Sequence, residues 1–536
     1  MRLATMLSTA LLVGCFPDAP DKASDATVVE ETTPQNDATS ASDTGDADTI
    51  VGDDAEDTAI ACPGGCGHLD GSCLVGVCEA GVCATRPVDE ESACDDGNAC
   101  TRTDRCVHGE CVGDDPMQCE PLSQCHVAGE CEPSSGECSA PEKPRDAPCD
   151  SGYDLPGFCR AGACKPRVVV VGPVETCLVV HGTLECWSGL VTAANAGTTY
   201  AFGRDVVDVA VGSTTKCARF EDDHVACWGS GAAAGSADAG TARDVPVGET
   251  SELAASGSFA CVVAANDGKA RCWGAAGAVL GPDGAQSVGY DDAATVRAIP
   301  TSSAVRSLST GSGHACAADA NGRLWCWGFG TLGELGFGAT DPYDFSGVSP
   351  ALPAKFVPAG ALIRSVACGS SWTCARTPSG DVRCWGRLVT DGQGTTYGDD
   401  EPAGDSPLLD LGGPVRALAR TSAGALHVCA LREDGAVVCW GRGGSRNHAH
   451  DGQLGYVGVT DDVGDDEPAG SHGAVDVGEP SVFVAVGGNG FEAATCAIGV
   501  SGKLHCWGAA SLTGYGDGVD RGAVPGTMPP GDVPFE

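Results

Sequence analysis

The chain has 536 residues, with 73 acidic against 31 basic side chains and a formal net charge of −42. That balance excludes nucleic acid as a partner, and docking on anionic lipid headgroups, because both need a basic stripe that is not visible here. Thirty-two cysteines, 78 glycines and few aromatics fit an oxidising compartment and a chain full of tight turns.

Taken from the start, residues 1–14 open with Arg2 and stay mostly apolar from 3 to 13. An apolar run this short is a signal segment and cannot span a bilayer as a helix. Leu12-Val13-Gly14-Cys15 resembles a bacterial lipobox. The resemblance implies cleavage, a lipid on Cys15 and export; an ordinary secretory signal is the alternative. Phe16 stands where an inner-membrane retention signal would carry Asp, so the outer membrane is the expected destination, facing the periplasm or the cell surface. Residues 15–61 follow as an acidic linker. Between 16 and 61 there are 13 Asp or Glu against one Lys, and no cysteine. Such a segment cannot bury enough apolar surface to form a core and is expected to be disordered and extended by self-repulsion. An acidic protein-binding tail is the sharper alternative.

Residues 62–165 hold 16 cysteines in 104 positions, the density of a secreted disulfide scaffold. The spacing repeats: Cys94-x5-Cys100-x5-Cys106-x4-Cys111, then Cys119-x5-Cys125-x5-Cys131-x6-Cys138. Gly-x-Cys recurs, as at Gly71, Gly76 and Gly81, where glycine lets the chain turn sharply beside a bridge. Zinc is the competing account, but Cys-x2-Cys occurs nowhere. Cysteine spacing alone does not assign the connectivity. Cys94-Asp-Asp-Gly-Asn-Ala-Cys100-Thr is similar to cysteine-rich repeats of bacterial surface lipoproteins. Asp95, Asp96, Asn98 and Asp104 there offer oxygens to calcium, or simply form a solvated loop.

From residue 166 to 536 one signature returns seven times: a Cys, eight to ten residues, then Cys-Trp. The pairs are Cys177 and Cys186, Cys217 and Cys227, Cys261 and Cys272, Cys316 and Cys326, Cys374 and Cys384, Cys429 and Cys439, Cys496 and Cys506. A fixed period of this length predicts stacked supersecondary units, as in a propeller or solenoid. Each interval reads as a β-hairpin. In Cys429 to Cys439 a three-residue loop, Glu433 to Gly435, puts the two cysteines opposite each other, with Gly at the left-handed position. Gly322, Gly380 and Gly502 hold the same place in other copies, and Asp223 in the second. Opposed cysteines on adjacent strands predict one cross-strand disulfide per unit; small buried thiols are the alternative. The Trp after each second Cys points to the other face of its strand and is expected to pack between units. Cys368 is the odd cysteine, in an apolar strand, and is expected to be buried and inert.

Apolar runs such as Val209-Ala210-Val211 and Leu308-Ser309 precede the hairpins and read as inner strands, with Gly172, Gly212, Gly311, Gly369 and Gly424 five residues before the first Cys. Gly-Gln/Glu-Leu-Gly follows two copies, from Gly333 to Gly336 and from Gly452 to Gly455, and a His lies two before the Cys at His314 and His427. This constellation resembles the regulator of chromosome condensation repeat. The resemblance covers residues 166–536 and implies an all-β, seven-bladed β-propeller with four strands per blade, here preceded by the small disulfide-rich module and the acidic linker.

For function, no nucleophile elbow, phosphate-cradling loop, zinc-protease or haem motif is present, so no cofactor, no metal and no enzyme activity are expected. His448 and His450 beside Asp451 form a weak metal signal, and the acid runs Tyr397 to Pro402 and Asp461 to Pro468 read as solvated loops. The expected role is a non-catalytic, lipid-anchored, monomeric protein that binds another protein or an envelope component and meets the membrane only through its lipid. The runner-up is an inhibitor or regulator of a partner enzyme; nucleotide exchange on a cytosolic GTPase does not suit an exported chain.

Overall fold

The computed structural model describes residues 62–535, except 152–154, 190–196, 232, 235–241, 258, 276–292, 294–295, 297, 339–354, 358, 389–395, 423, 445–451 and 490. The expected signal segment, Cys15, the acidic linker and the cluster of His448, His450 and Asp451 lie outside the described residues. The chain falls into two compact units. The smaller runs up to residue 70 and adds 75–86; the larger holds 71–74 and 87–536. In the smaller, Cys62–Cys78 and Cys66–Cys83 clip the chain onto the hairpin of Leu74–Glu79 and Val82–Pro87.

The larger unit is all-β apart from single helical turns. Among the described residues seven sheets follow one another, antiparallel except for one short pairing in the last, with inner strands Val168–Val171, Val206–Val211, Thr250–Ala255, Val305–Thr310, Ser365–Cys368, Val415–Leu418 and Ser481–Gly488. Val168–Val171 is buried at every position, as a continuous apolar strand must be when both faces are covered by neighbours, and Val206–Val211 is buried throughout even though it carries Asp208. The next two strands of each sheet form the cysteine hairpin. Its two Cys are register partners in all seven sheets, with Cα atoms 4.0–4.1 Å apart and the sulfurs bonded. The turns take the geometry that the spacing demands: Gly435 has φ +83° and Asp223, replacing glycine, has φ +60°.

The sheets are stitched in one direction. The Trp following each second Cys lies in the cluster that holds the disulfide of the preceding sheet: Trp228 on Cys177 and Cys186, Trp273 on Cys217 and Cys227, Trp327 on Cys261 and Cys272, Trp385 on Cys316 and Cys326. Trp440 and Trp507 continue this, sharing one cluster with Cys374, Cys384, Cys429 and Cys439. Trp187 of the first sheet then packs on Cys496 and Cys506 of the last, so the course closes on itself and the sheets form a propeller. The Trp187 indole N–H donates to the Leu512 carbonyl at 3.1 Å across the joint. One more thread crosses a boundary. Arg420–Thr421, on the connection out of the sixth inner strand, pairs in parallel with Ser481–Gly488 of the seventh sheet.

Residues 87–165 pack with the propeller in the same unit. Their disulfides have two recurring spans. Short links are Cys94–Cys111, Cys119–Cys138 and Cys149–Cys164; long links are Cys73–Cys106, Cys100–Cys131 and Cys125–Cys159. The last sheet of the module, Pro148–Asp150, Pro156–Arg160 and Ala163–Pro166, runs directly into the first propeller strand. Phe158 is buried against the first and seventh sheets. Arg167 covers its ring at 4.7 Å and bonds both Asp146 of the module and the Gly502 carbonyl in the turn of the seventh sheet. Lys165 reaches Asp205 and Glu221 at the second sheet, at 2.5 and 3.6 Å. Fifteen disulfides among the described residues mark an oxidising, extracytoplasmic setting.

Candidate functional site: a charged cavity on the propeller axis

All seven inner strands contribute to an axial cavity of 880 Å³, and Pro148, Asp150, Leu155 and Pro156 of the cysteine-rich module line it too. Its wall is largely small or apolar, with Ala210, Leu253, Leu308, Val366, Leu418 and Val484. The volume is that of a small-ligand pocket, about 300–1,000 Å³. The charge there reverses the balance of the chain. Six arginines line the cavity, Arg219, Arg306, Arg364, Arg376, Arg416 and Arg420, against three carboxylates, Asp150, Asp208 and Glu252.

Two of the arginines are held by carboxylates. Arg420 Nη1 and Nη2 meet Asp208 Oδ1 and Oδ2 at 2.5 and 3.3 Å, and Nη2 also donates to the Leu253 carbonyl at 3.2 Å. This joins the connection leaving the sixth inner strand to the second and third sheets, so the fork crosses the axis. Arg219 Nη1 bonds Asp223 Oδ1 at 2.9 Å. Arg376 has neutral acceptors: Ser365 Oγ at 3.3 Å and the Thr377 and Val415 carbonyls at 3.2 Å. Burial, and then the neighbouring Arg364 charge, hold its guanidinium below the ordinary range. Glu252 Oε2 accepts the Leu308 N–H at 2.7 Å. Burial pushes this carboxyl up to about 8, so it is a neutral acid at pH 7.

Arg306, Arg364 and Arg416 differ from the others. They are exposed, and their side chains make no hydrogen bond or ion pair among the described residues. All three stand at one level of three successive inner strands. Arg306 and Arg416 are the residues skipped where the pairing shifts, between Val305 and Ser307 and between Val415 and Ala417. Such a bulge re-aims a side chain. Arg364 comes immediately before Ser365–Cys368. A signal for them was in the sequence: Val305-Arg306-Ser307-Leu308, Ile363-Arg364-Ser365-Val366 and Val415-Arg416-Ala417-Leu418 repeat one pattern. Attention to the apolar runs alone passed over it.

The other sequence-marked residues are structural in their surroundings. His314 and His427 are fully buried. Their Nε2 atoms lie 2.9 Å from Thr373 Oγ1 and Thr495 Oγ1 of the next sheet. Each threonine donates its hydroxyl proton to a carbonyl at 2.8 Å, Glu334 and Gln453, within the two Gly-Glu/Gln-Leu-Gly segments. The threonine oxygen must then accept, which puts the imidazole proton on Nε2. Burial pushes the two imidazoles down, to about 4 for His314 and about 3 for His427. Cys368 is buried beside Thr373, and burial pushes its thiol up to about 12. The acid runs are straps, not free loops. The Tyr397 carbonyl accepts from Gly386 N–H, and Ala403 N–H, just past Pro402, donates to Gly336; Val463 pairs with Gly441. In the calcium-like loop, Asp95, Asp96, Asn98 and Asp104 side-chain oxygens accept the loop's own N–H groups at 2.8–3.1 Å.

A profile of the regulator of chromosome condensation (RCC1) repeat matches residues 305–334, 363–393 and 419–447, and a second RCC1-repeat profile matches 321–376. The chain is 31% identical over 210 residues to the mitochondrial RCC1 domain-containing protein RUG3 of Arabidopsis thaliana, covering 38% of this chain and 42% of that one. It is 29% identical over 218 residues to the ultraviolet-B receptor UVR8 of the same plant, covering 40% and 44%. The matched part thus spans less than half the length of these relatives. Yeast RCC1 (Prp20), in its crystal structure with Kap60, is similar with a TM-score of 0.45 at 18% identity, covering 62% of this chain and 80% of that one.

Proposed function

We propose that this propeller of RCC1 repeats is a non-catalytic binding scaffold, exported and held at the outer membrane by a lipid on Cys15, which recognises another protein or an envelope component. The observation that carries the reading is the unbroken course of disulfides and tryptophans around the sheets. It makes a frame whose shape survives outside the cell, and recognition groups on a rigid frame lose little entropy on binding. Its buried histidines and thiol are structural: the histidines are neutral, and the thiol is suppressed. Fold alone does not fix function, so the test is direct. Crosslinking on intact cells captures a specific partner that is lost when the ectodomain is reduced. Lipid-precursor labelling that persists in Cys15→Ala would remove the anchor. Failure to enrich any component over an inert exported protein would remove the scaffold role.

A further inference from the structure

Three adjacent sheets each present to a single cavity one arginine whose side chain has no partner among the described residues, in a chain whose acids outnumber its bases 73 to 31. Their neighbour Arg376 adds a fourth positive charge, bonded only to neutral oxygens. We propose that Arg306, Arg364 and Arg416 form a carboxylate-binding site at the end of the axial cavity where the inner strands begin, and that its ligand is a short acidic peptide segment of a partner protein. The proposal rests on the scaffold reading above and supplies it with a site.

The geometry points to a peptide for two reasons. Guanidinium forks match carboxylates, two N–H groups to two oxygens, and arginines so placed recognise acidic side chains or a chain terminus. Between and below the arginines the wall is apolar, with Leu308, Val366 and Leu418. A segment that alternates acidic and aliphatic side chains satisfies both surfaces, whereas a polyphosphate would leave the apolar wall uncovered. The overall negative charge of the chain repels long polyanions. Screening beyond about 8 Å at physiological salt keeps that repulsion from a short segment already inside the mouth. Arg420 and Asp208 line the same cavity and join across it.

The probe is a fluorescent hexapeptide of alternating Glu and Val, titrated against the detergent-solubilised full chain at two salt concentrations, with free citrate as a separate arm. The expected result is saturable binding that weakens as salt rises. It is reduced about tenfold or more in Arg306→Ala/Arg364→Ala/Arg416→Ala, as expected for loss of charge-assisted bonds. The three positions are exposed, so the variant keeps the wild-type unfolding midpoint, and Arg102→Ala in the cysteine-rich module leaves binding unchanged. Peptide binding that is equal in wild type and triple variant overturns the site. So does citrate binding tightly while the peptide does not, which would make the ligand a small polycarboxylate. If the peptide fails on both proteins while crosslinking on cells still captures a partner, this inference falls and the scaffold reading stands.

Discussion

Arg420 and Asp208 stand 212 residues apart in sequence and form a two-pronged ion pair inside the propeller, with Asp208 almost fully buried. Their sheets are not neighbours, so the pair is a strut across the cavity. Removing the arginine leaves a buried carboxylate without its counter-charge, a loss of about 3–5 kcal/mol. Arg420→Ala therefore lowers the urea midpoint sharply, and Arg420→Met/Asp208→Leu recovers most of it because no charge is stranded. Equal midpoints for Arg420→Ala and wild type would show that the strut carries no load.

The two buried imidazoles make stability depend on pH. In the unfolded chain they take a proton near pH 6.5. In the folded chain they resist it until about 4 at His314 and about 3 at His427. The unfolded state thus binds more protons below pH 6.5, and the stability present above that value drains away as pH falls, at up to about 1.4 kcal/mol per pH unit for each site. Between pH 6.5 and 5 the two imidazoles pull the unfolding free energy down as pH falls, while Glu252, protonated in the fold from about 8 downward and ionised in the unfolded chain, pushes it up by one site's worth. His427→Gln keeps a donor toward Thr495 and should remove about one proton from that slope. An unchanged slope in this variant would assign the acid limb to other groups.

A single hairpin staple closes a short loop, so its removal has a modest effect. Cys429→Ala/Cys439→Ala should lose about 2–3 kcal/mol by the loop-closure argument. Because Trp507 shares a cluster with that disulfide, its near-ultraviolet circular dichroism should weaken in the same variant. Loss of stability with no spectral change would mean that the indole packs independently of the bridge.

Cys368 should stay unmodified in the native protein. Its thiol is buried and pushed up to about 12, so almost no thiolate exists at pH 8. Iodoacetamide should label it only after unfolding, at an intact-mass shift of one adduct. Rapid labelling of the folded chain would show that the fifth inner strand opens readily.

Much of this was legible in the residues because hairpins are local. The distance between Cys429 and Cys439, together with Gly435, sets strand pairing, turn geometry and the facing of the Trp with no knowledge of the rest. The module's bridges were not legible: Cys100–Cys131 and Cys125–Cys159 link one repeat to the next, and spacing gives no preference for that over bridging within a repeat. The histidine relay was half visible. His314 and the Gly333 to Gly336 segment were both marked, but Thr373, which joins them, arrives from another sheet and carries no local signature. The cavity arginines fell between the two cases, repeated in sequence yet gaining meaning only once three sheets bring them to one level.

The contact of Trp187 with the Leu512 carbonyl has a temporal side. The first sheet is synthesised 325 residues before the carbonyl it needs. Until then its indole face lacks the cover that the last sheet provides. A chain truncated before Leu512 leaves the joint between the first and last sheets open, so the ring closes only when its final sheet is made.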